Sequence, residues 1–251
     1  MMGSLLGSLL KLRFENHCPP ELSRESLPLL VVNQRFIPMR QLIKEWVSIA
    51  ATSLPIVGPI YEFGSLQVLG QEGFADLRTL FPNKQYVGCD MREGPGVDKI
   101  IDLHDIDLPD ESVGTALSLD TLEHVEYPYK AMDEIYRIIL PDGIAVISSV
   151  MQFPIHDYPY DYWRFTPEAF KSLLKPFRHS FVGFAGDKDF PHTVLGIGFK
   201  GDNSSLPELL IKYARWQKRQ ARSVEHVVRS LTPPLLLPFV SRVGRAILGT
   251  K

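Results

Sequence analysis

The segment 154–166, Pro-Ile-His-Asp-Tyr-Pro-Tyr-Asp-Tyr-Trp-Arg-Phe-Thr, holds the densest mixture of titratable and aromatic side chains in the sequence. His156 is suited to taking up a proton, with Asp157 or Asp161 to orient it. Arg164 is suited to holding an anionic group, and the tyrosines and Trp163 can wall an apolar pocket. Each also has a purely structural reading: Trp163 and Phe165 as core, Thr166 as a helix N-cap, Arg164 as the ion-pair partner of Asp161. A second set lies upstream, where Ile60-Tyr61-Glu62-Phe63-Gly64-Ser65 is followed 26 residues later by Tyr86-Val87-Gly88-Cys89-Asp90. Apolar runs ending in acids at that spacing suit adjacent parallel strands, and an acid closing the second strand can accept hydrogen bonds from both hydroxyls of a ribose. Asp90 is the candidate for that role, a helix or turn cap being its structural alternative, and the pocket suits an adenosyl cofactor.

The elements that must position these residues follow from periodicity. Over 38–54 the apolar positions Leu42, Ile43, Trp46, Val47, Ile49 and Ala50 fall at helical spacing. A short helix is expected over 74–81, then strands over 85–89, 97–103, 113–119 and 144–148. A helix opens at Pro128 and is expected to stop at Pro141-Asp142-Gly143. Strands alternating with helices imply a parallel sheet with right-handed crossovers. After a helix over 167–174, capped by Thr166, the strands 180–184 and 193–199 have only a turn between them and form an antiparallel hairpin. Leu206, Leu209, Tyr213, Trp216, Val224 and Val227 begin a basic C-terminal helix that Pro233-Pro234 breaks. The expected fold class is thus α/β, a Rossmann-like, mostly parallel sheet closed by an antiparallel C-terminal hairpin. Helices cover both faces, with helical appendages at either end. Its divisions are 1–55 as an N-terminal segment and helical cover, 56–201 as the central domain and 202–251 as a basic appendage.

At 251 residues and 45% hydrophobic the chain can bury a full core. With two cysteines, no CxxC pair and no Cys/His cluster, no metal site is expected, and Cys89 reads as a small buried hydrophobe in a reducing compartment. The apolar start lacks a basic lead and a cleavage site, and no run is long enough to cross a bilayer, so a cytoplasmic location is expected. The net charge of −2 hides an asymmetry: 205–251 carries nine Lys/Arg against Glu208 and Glu225, net +7, which leaves −9 elsewhere. Such a tail is most simply a solvated helix face; it is also a candidate for peripheral contact with a membrane or a protein, while the acidic body argues against nucleic acid.

Together these residues resemble the class I S-adenosyl-L-methionine (SAM)-dependent methyltransferases, in particular the small bacterial type with a Leu-Glu-His segment after the fourth strand. The similarity covers roughly 59–200 and implies a seven-stranded sheet with its last strand antiparallel. By that resemblance Glu62, Gly64 and the adjoining Ser65 belong to the opening motif, and Asp90, with Met91 next to it, to the ribose site. Asp102, Leu103 and His104 would meet the adenine edge, and Asp120, Leu122, Glu123 and His124 would line the methionine half. One departure is visible: Leu66 and Val68 stand where the family usually has glycines, so their side chains are expected to narrow the cleft.

Methyl transfer from a sulfonium is an in-line displacement that needs alignment and exclusion of water more than a triad or a metal. A base helps where the acceptor is a hydroxyl, so the candidate catalytic residues are His156 to take the proton and Arg164 to hold an anionic group of the substrate. The expected function is therefore methylation of a small molecule or glycan, at oxygen. The alternative is an inactive cofactor-binding protein that recruits a partner. A nicotinamide dehydrogenase would need GxGxxG after the first strand, and Gly64-Ser-Leu-Gln-Val-Leu does not supply it.

Overall fold

The computed structural model describes residues 41–67, 72–157, 159–202 and 204–221. Its elements in chain order are α1 (Gln41–Ser53), β1 (Ile60–Phe63), β2 (Tyr86–Asp90), β3 (Lys99–Ile100), β4 (Val113–Leu119), α2 (Pro128–Ile138), β5 (Ile139–Val150), α3 (Pro167–Leu173), β6 (His179–Gly186), β7 (Pro191–Phe199) and α4 (Leu206–Ala221). One seven-stranded sheet runs β3-β2-β1-β4-β5-β7-β6. The first five strands are parallel, and β7 pairs antiparallel with both β5 and β6. The expected hairpin is therefore present, inserted so that β7 and not β6 meets the parallel part.

Strand alternation divides the core between the two faces. Tyr61 and Phe63 of β1 join Ile135 and Ile138 of α2 and Phe170 of α3 in one apolar cluster. Ile60, Leu117 and Ile197 join Ile43 and Trp46 of α1 and Leu209 and Trp216 of α4 in the other. The two terminal helices thus share a core with the sheet. Trp216 Nε1 donates to Glu45 Oε2 at 2.8 Å, and the Tyr213 hydroxyl donates to Phe184 O and accepts from Phe184 N, both at 2.9 Å. No helix among the described residues is long and apolar enough to cross a membrane. The tail positions 222–251 lie outside the described residues.

Three local expectations are corrected. The helix over 74–81 is only a 3-10 turn, Arg78–Leu80, because the Asp76 carboxylate accepts from Arg78 N at 2.9 Å and fixes a turn in place of a first helical turn. The strand over 97–103 shrinks to Lys99–Ile100 because Asp102 Oδ1 accepts from His104 N at 2.8 Å, an Asx turn that bends the chain off the sheet edge. Helix α2 ends at Ile138, before Pro141-Asp142-Gly143, which is an irregularity inside β5 where the register jumps from Val113↔Ile139 to Thr115↔Ile144. Proline cannot donate to the ladder, so the bulge falls there.

The Thr166 cap is present: its side chain accepts from Ala169 N at 3.2 Å, with Pro167 at the first helical position. Thr166→Ala is expected to cost about 1 kcal/mol of stability, readable as a lower urea midpoint with an unchanged slope.

Candidate active site

Three strand ends meet where the order turns from β1 to β4, the place at which open parallel sheets bind ligands. Gly64 leaves β1 at φ 88°, and a Cβ there would fall on the Thr121 side chain, so only glycine fits. The N–H groups of Gly64 and Ser65 both turn inward to Cys89 O, at 2.8 and 3.0 Å, and Ser65 Oγ donates to Gly96 O at 3.1 Å. Asp120 leaves β4 with φ 48°, held by its N–H to Ser148 O and by the Ser148 hydroxyl, which donates to Asp120 Oδ1 at 2.9 Å. Asp90 closes β2 at 8% exposure. Its Oδ1 accepts from Arg92 N at 3.0 Å and lies 3.5 Å from Arg92 Nε, which leaves Oδ2 for a ligand among the described residues. Met91 beside it is exposed.

Leu66 does not take the course its size suggests. A Cβ on Gly94 would strike Leu66 Cδ1, so this side chain lies against the turn after β2. Gln67 N donates to Pro95 O at 2.8 Å, and Gly96 makes room for the Gln67 side chain. The glycines missing from the loop are thus found on the strand and turn it packs against: Gly88 for Ser65, Gly94 for Leu66, Gly96 for Gln67. Val68 lies outside the described residues.

Glu62 is buried on β1 with its Oε2 accepting from the Tyr86 hydroxyl at 2.7 Å. Burial pushes its pKa up to about 7 against the opposing pull of Tyr86 and Arg78. Burial likewise pushes the Cys89 thiol up to about 12, which keeps it protonated and unreactive.

Asp102 and His104 form a closed unit at the edge. Asp102 Oδ1 lies 2.8 Å from His104 Nδ1, and His104 Nε2 accepts from Tyr127 N at 3.2 Å, so the network assigns the ring proton to Nδ1. Partial burial raises Asp102, but the bonds from His104 outweigh it and the net shift is downward. Both ring nitrogens pin the turn to the start of α2. Leu103 packs in the core.

The loop after β5 is laced to the turn after β4. Glu123 O accepts from Tyr162 N and Trp163 N at 2.8 and 3.2 Å, and Trp163 Nε1 donates to Val125 O at 3.0 Å. Leu122 and the Glu123 side chain are fully buried, and Ser149 Oγ donates to Glu123 Oε2 at 2.6 Å. His124 Nδ1 is 2.8 Å from Tyr160 O. His156 N donates to Asp161 Oδ2 at 2.7 Å, while its ring Nδ1 lies 3.2 Å from Pro154 O and 3.3 Å from the same carboxylate. The two imidazoles meet edge to face with centroids 4.7 Å apart. Burial first, and the neighbouring His156 as well, lowers the His124 pKa despite the Tyr160 carbonyl, so His124 is neutral at neutral pH.

Arg164 spends its donors inside this loop. It bonds both oxygens of Asp161, at 2.6 and 2.7 Å, and the carbonyls of Phe153, Pro154 and Trp163. Burial would raise Asp161, but the Arg164 bonds dominate and hold it down at about 2. Arg164 organises the loop that carries His156. Phe165 is core, whereas Trp163 and Tyr160 are roughly half exposed; Tyr158 lies outside the described residues. Arg92 joins the two halves of the site, reaching from Asp90 to Asp157 Oδ2 at 3.3 Å.

The structure thus brings Gly64, Ser65, Asp90, Asp120 and Thr121 to one end of the sheet, with His124 and His156 together beside it. Sequence reasoning overlooked Thr121, Arg92, Ser148 and Ser149. The two serines carried a signal, being polar residues at the end of an otherwise apolar strand.

Residues 72–147 match the methyltransferase domain family, from just after the β1 loop into β5 and under a third of the chain. A SAM-dependent methyltransferase from Archaeoglobus fulgidus is structurally similar with a TM-score of 0.50, at 14% identity, over 64% of this chain and 94% of that one. One from Thermotoga maritima, described as a possible histamine N-methyltransferase, gives 0.46 at 18% identity over 63% and 92%. One from Mesorhizobium loti gives 0.46 at 18% identity over 62% and 97%. Comparison with curated protein sequences gives no match. The match over 72–147 is thus to a methyltransferase domain, and the seven-stranded sheet has the fold of the class I SAM-dependent methyltransferases.

Proposed function

We propose that this protein is a SAM-dependent methyltransferase acting on a hydroxyl of a small molecule or glycan. The observation that carries the reading is the convergence of Gly64, Asp90 and Asp120 at the carboxyl ends of β1, β2 and β4. Those residues fit an adenosyl ligand. Asp90 offers a carboxylate oxygen to a ribose diol, Gly64 lets the chain turn off β1 against Thr121, and Asp102 to His104 form a firm edge beyond β3. Bound SAM supplies an electrophilic methyl carbon on a sulfonium. The chain's own task is to align an acceptor against it and keep water out, which suits the loop pinned by Arg164 and Trp163.

A hydroxyl acceptor must also lose its proton, and the His124–His156 pair is the group placed to promote that. His156→Ala is expected to lower turnover about 100-fold with SAM affinity unchanged, measured by tritiated-methyl transfer and by calorimetry; equal activity would make His156 scaffold. The reading as a whole is tested by calorimetry with SAM and S-adenosylhomocysteine, followed by methyl transfer over sugars and small alcohols. Binding without transfer to any acceptor would favour the inactive cofactor-binding alternative, and no binding would remove both.

A further inference from the structure

We propose that Glu123, His124 and His156 bind one divalent transition-metal ion beside the cofactor cleft, leaving coordination positions open to an acceptor oxygen. One ligand atom from each of the three residues lies within 4.8 Å of the others. Donors sharing an ion at about 2.1 Å stand roughly 3.4 Å apart in tetrahedral geometry, so side-chain rotations closing up to about 1.4 Å complete the site.

On both imidazoles one ring nitrogen is already committed. His124 Nδ1 faces the Tyr160 carbonyl, and His156 Nδ1 faces the Pro154 carbonyl and the Asp161 carboxylate. These partners only accept, so both Nδ1 atoms carry protons and both Nε2 atoms present lone pairs. Among the described residues neither Nε2 has a protein partner. Orientation of an imidazole by a carbonyl or carboxylate on its far nitrogen is the arrangement that metal-ligating histidines use. The carboxylate is oriented in the same way, by Ser149 Oγ at 2.6 Å, and Asp161 is fixed in turn by Arg164. Every ligand therefore has an outer partner.

Two imidazoles and a carboxylate, with no thiolate, suit zinc, cobalt, iron or manganese better than magnesium or calcium. Three protein ligands leave a position open, as in catalytic rather than structural sites. Chain topology puts the ion next to the cleft: His124 is four residues past Asp120, and His156 is tethered through Asp157 and Arg92 to Asp90. The use of that position for an acceptor hydroxyl rests on the methyltransferase reading above; metal binding itself does not.

The test titrates EDTA-stripped full-length protein with Co(II), followed by visible absorption and calorimetry. One ion per chain with nitrogen/oxygen-type d–d bands is expected, displaced by Zn(II) and not by Mg(II). The double variant His124→Ala/His156→Ala should lose the bands. Ser149→Ala, which removes only the outer partner of Glu123, should weaken Co(II) about 10-fold to 100-fold. Absence of uptake by the wild type overturns the proposal, as does wild-type affinity in the double variant. Should that variant fail to fold by circular dichroism, unchanged affinity in Ser149→Ala overturns it instead. SAM titration in parallel separates the two claims: SAM binding without Co(II) uptake sinks only the metal, and Co(II) uptake without SAM binding sinks only the methyltransferase reading.

Discussion

Asp90→Ala is expected to lower affinity for SAM by about 1,000-fold while leaving the circular dichroism spectrum native. A hydrogen bond to a charged acceptor contributes about 1.5–3 kcal/mol, and a ribose presents two hydroxyls to one carboxylate, so roughly 4 kcal/mol or three orders of magnitude depends on this side chain. The fold loses less. Asp90 sits at the end of β2, and its side chain accepts from Arg92 N at 3.0 Å and pairs with the half-exposed Arg92 Nε at 3.5 Å, together worth about 1 kcal/mol. Asp90→Asn should fall between, keeping an acceptor for Arg92 but not the charge. Calorimetry on both variants decides the matter: native-like spectra with undiminished affinity would take the ribose role away from this carboxylate.

The strand ends were legible because each closes an apolar run with a residue that breaks it: Gly64 after Phe63, Asp90 after Cys89, Asp120 after Leu119. The hairpin was legible from two β-rich runs with no helix between them. Other features depend on partners far along the chain. Nothing local to Leu66 announces that Gly94 will accommodate it, nor that Thr121 will occupy the space beside Gly64. Asp161 and Arg164, three residues apart, could be paired on sight; Glu123 and Ser149 could not. The same limit explains the metal cluster. His124 and His156 are 32 residues apart in no recognised ligand spacing, and only the adjacency of β4 and β5 places their loops together.

A buried carboxyl on β1 gives the second large effect. Glu62 titrates at about 7 in the folded protein against an ordinary 4.5, because burial outweighs the Tyr86 hydroxyl and Arg78. Below the unfolded value both states hold the proton and stability is at its full level. As pH rises from about 4.5 to 7 the unfolded chain ionises first, stability falls, and above 7 the loss levels off at about 3 kcal/mol. Glu62→Gln imitates the protonated side chain, so it should stabilise the protein by up to about 3 kcal/mol near pH 8.5 and by almost nothing near pH 4. Urea unfolding of both proteins at the two pH values checks this, and a gain independent of pH would show that burial of Glu62 is relieved in some other way. The same titration bears on the cleft. A cationic ligand drawing Glu62 toward ionisation takes up part of that cost, so SAM affinity should rise as pH passes 7 in the wild type and stay flat in Glu62→Gln; parallel pH profiles would mean that this carboxylate anchors the loop through Tyr86 without sensing the ligand's charge.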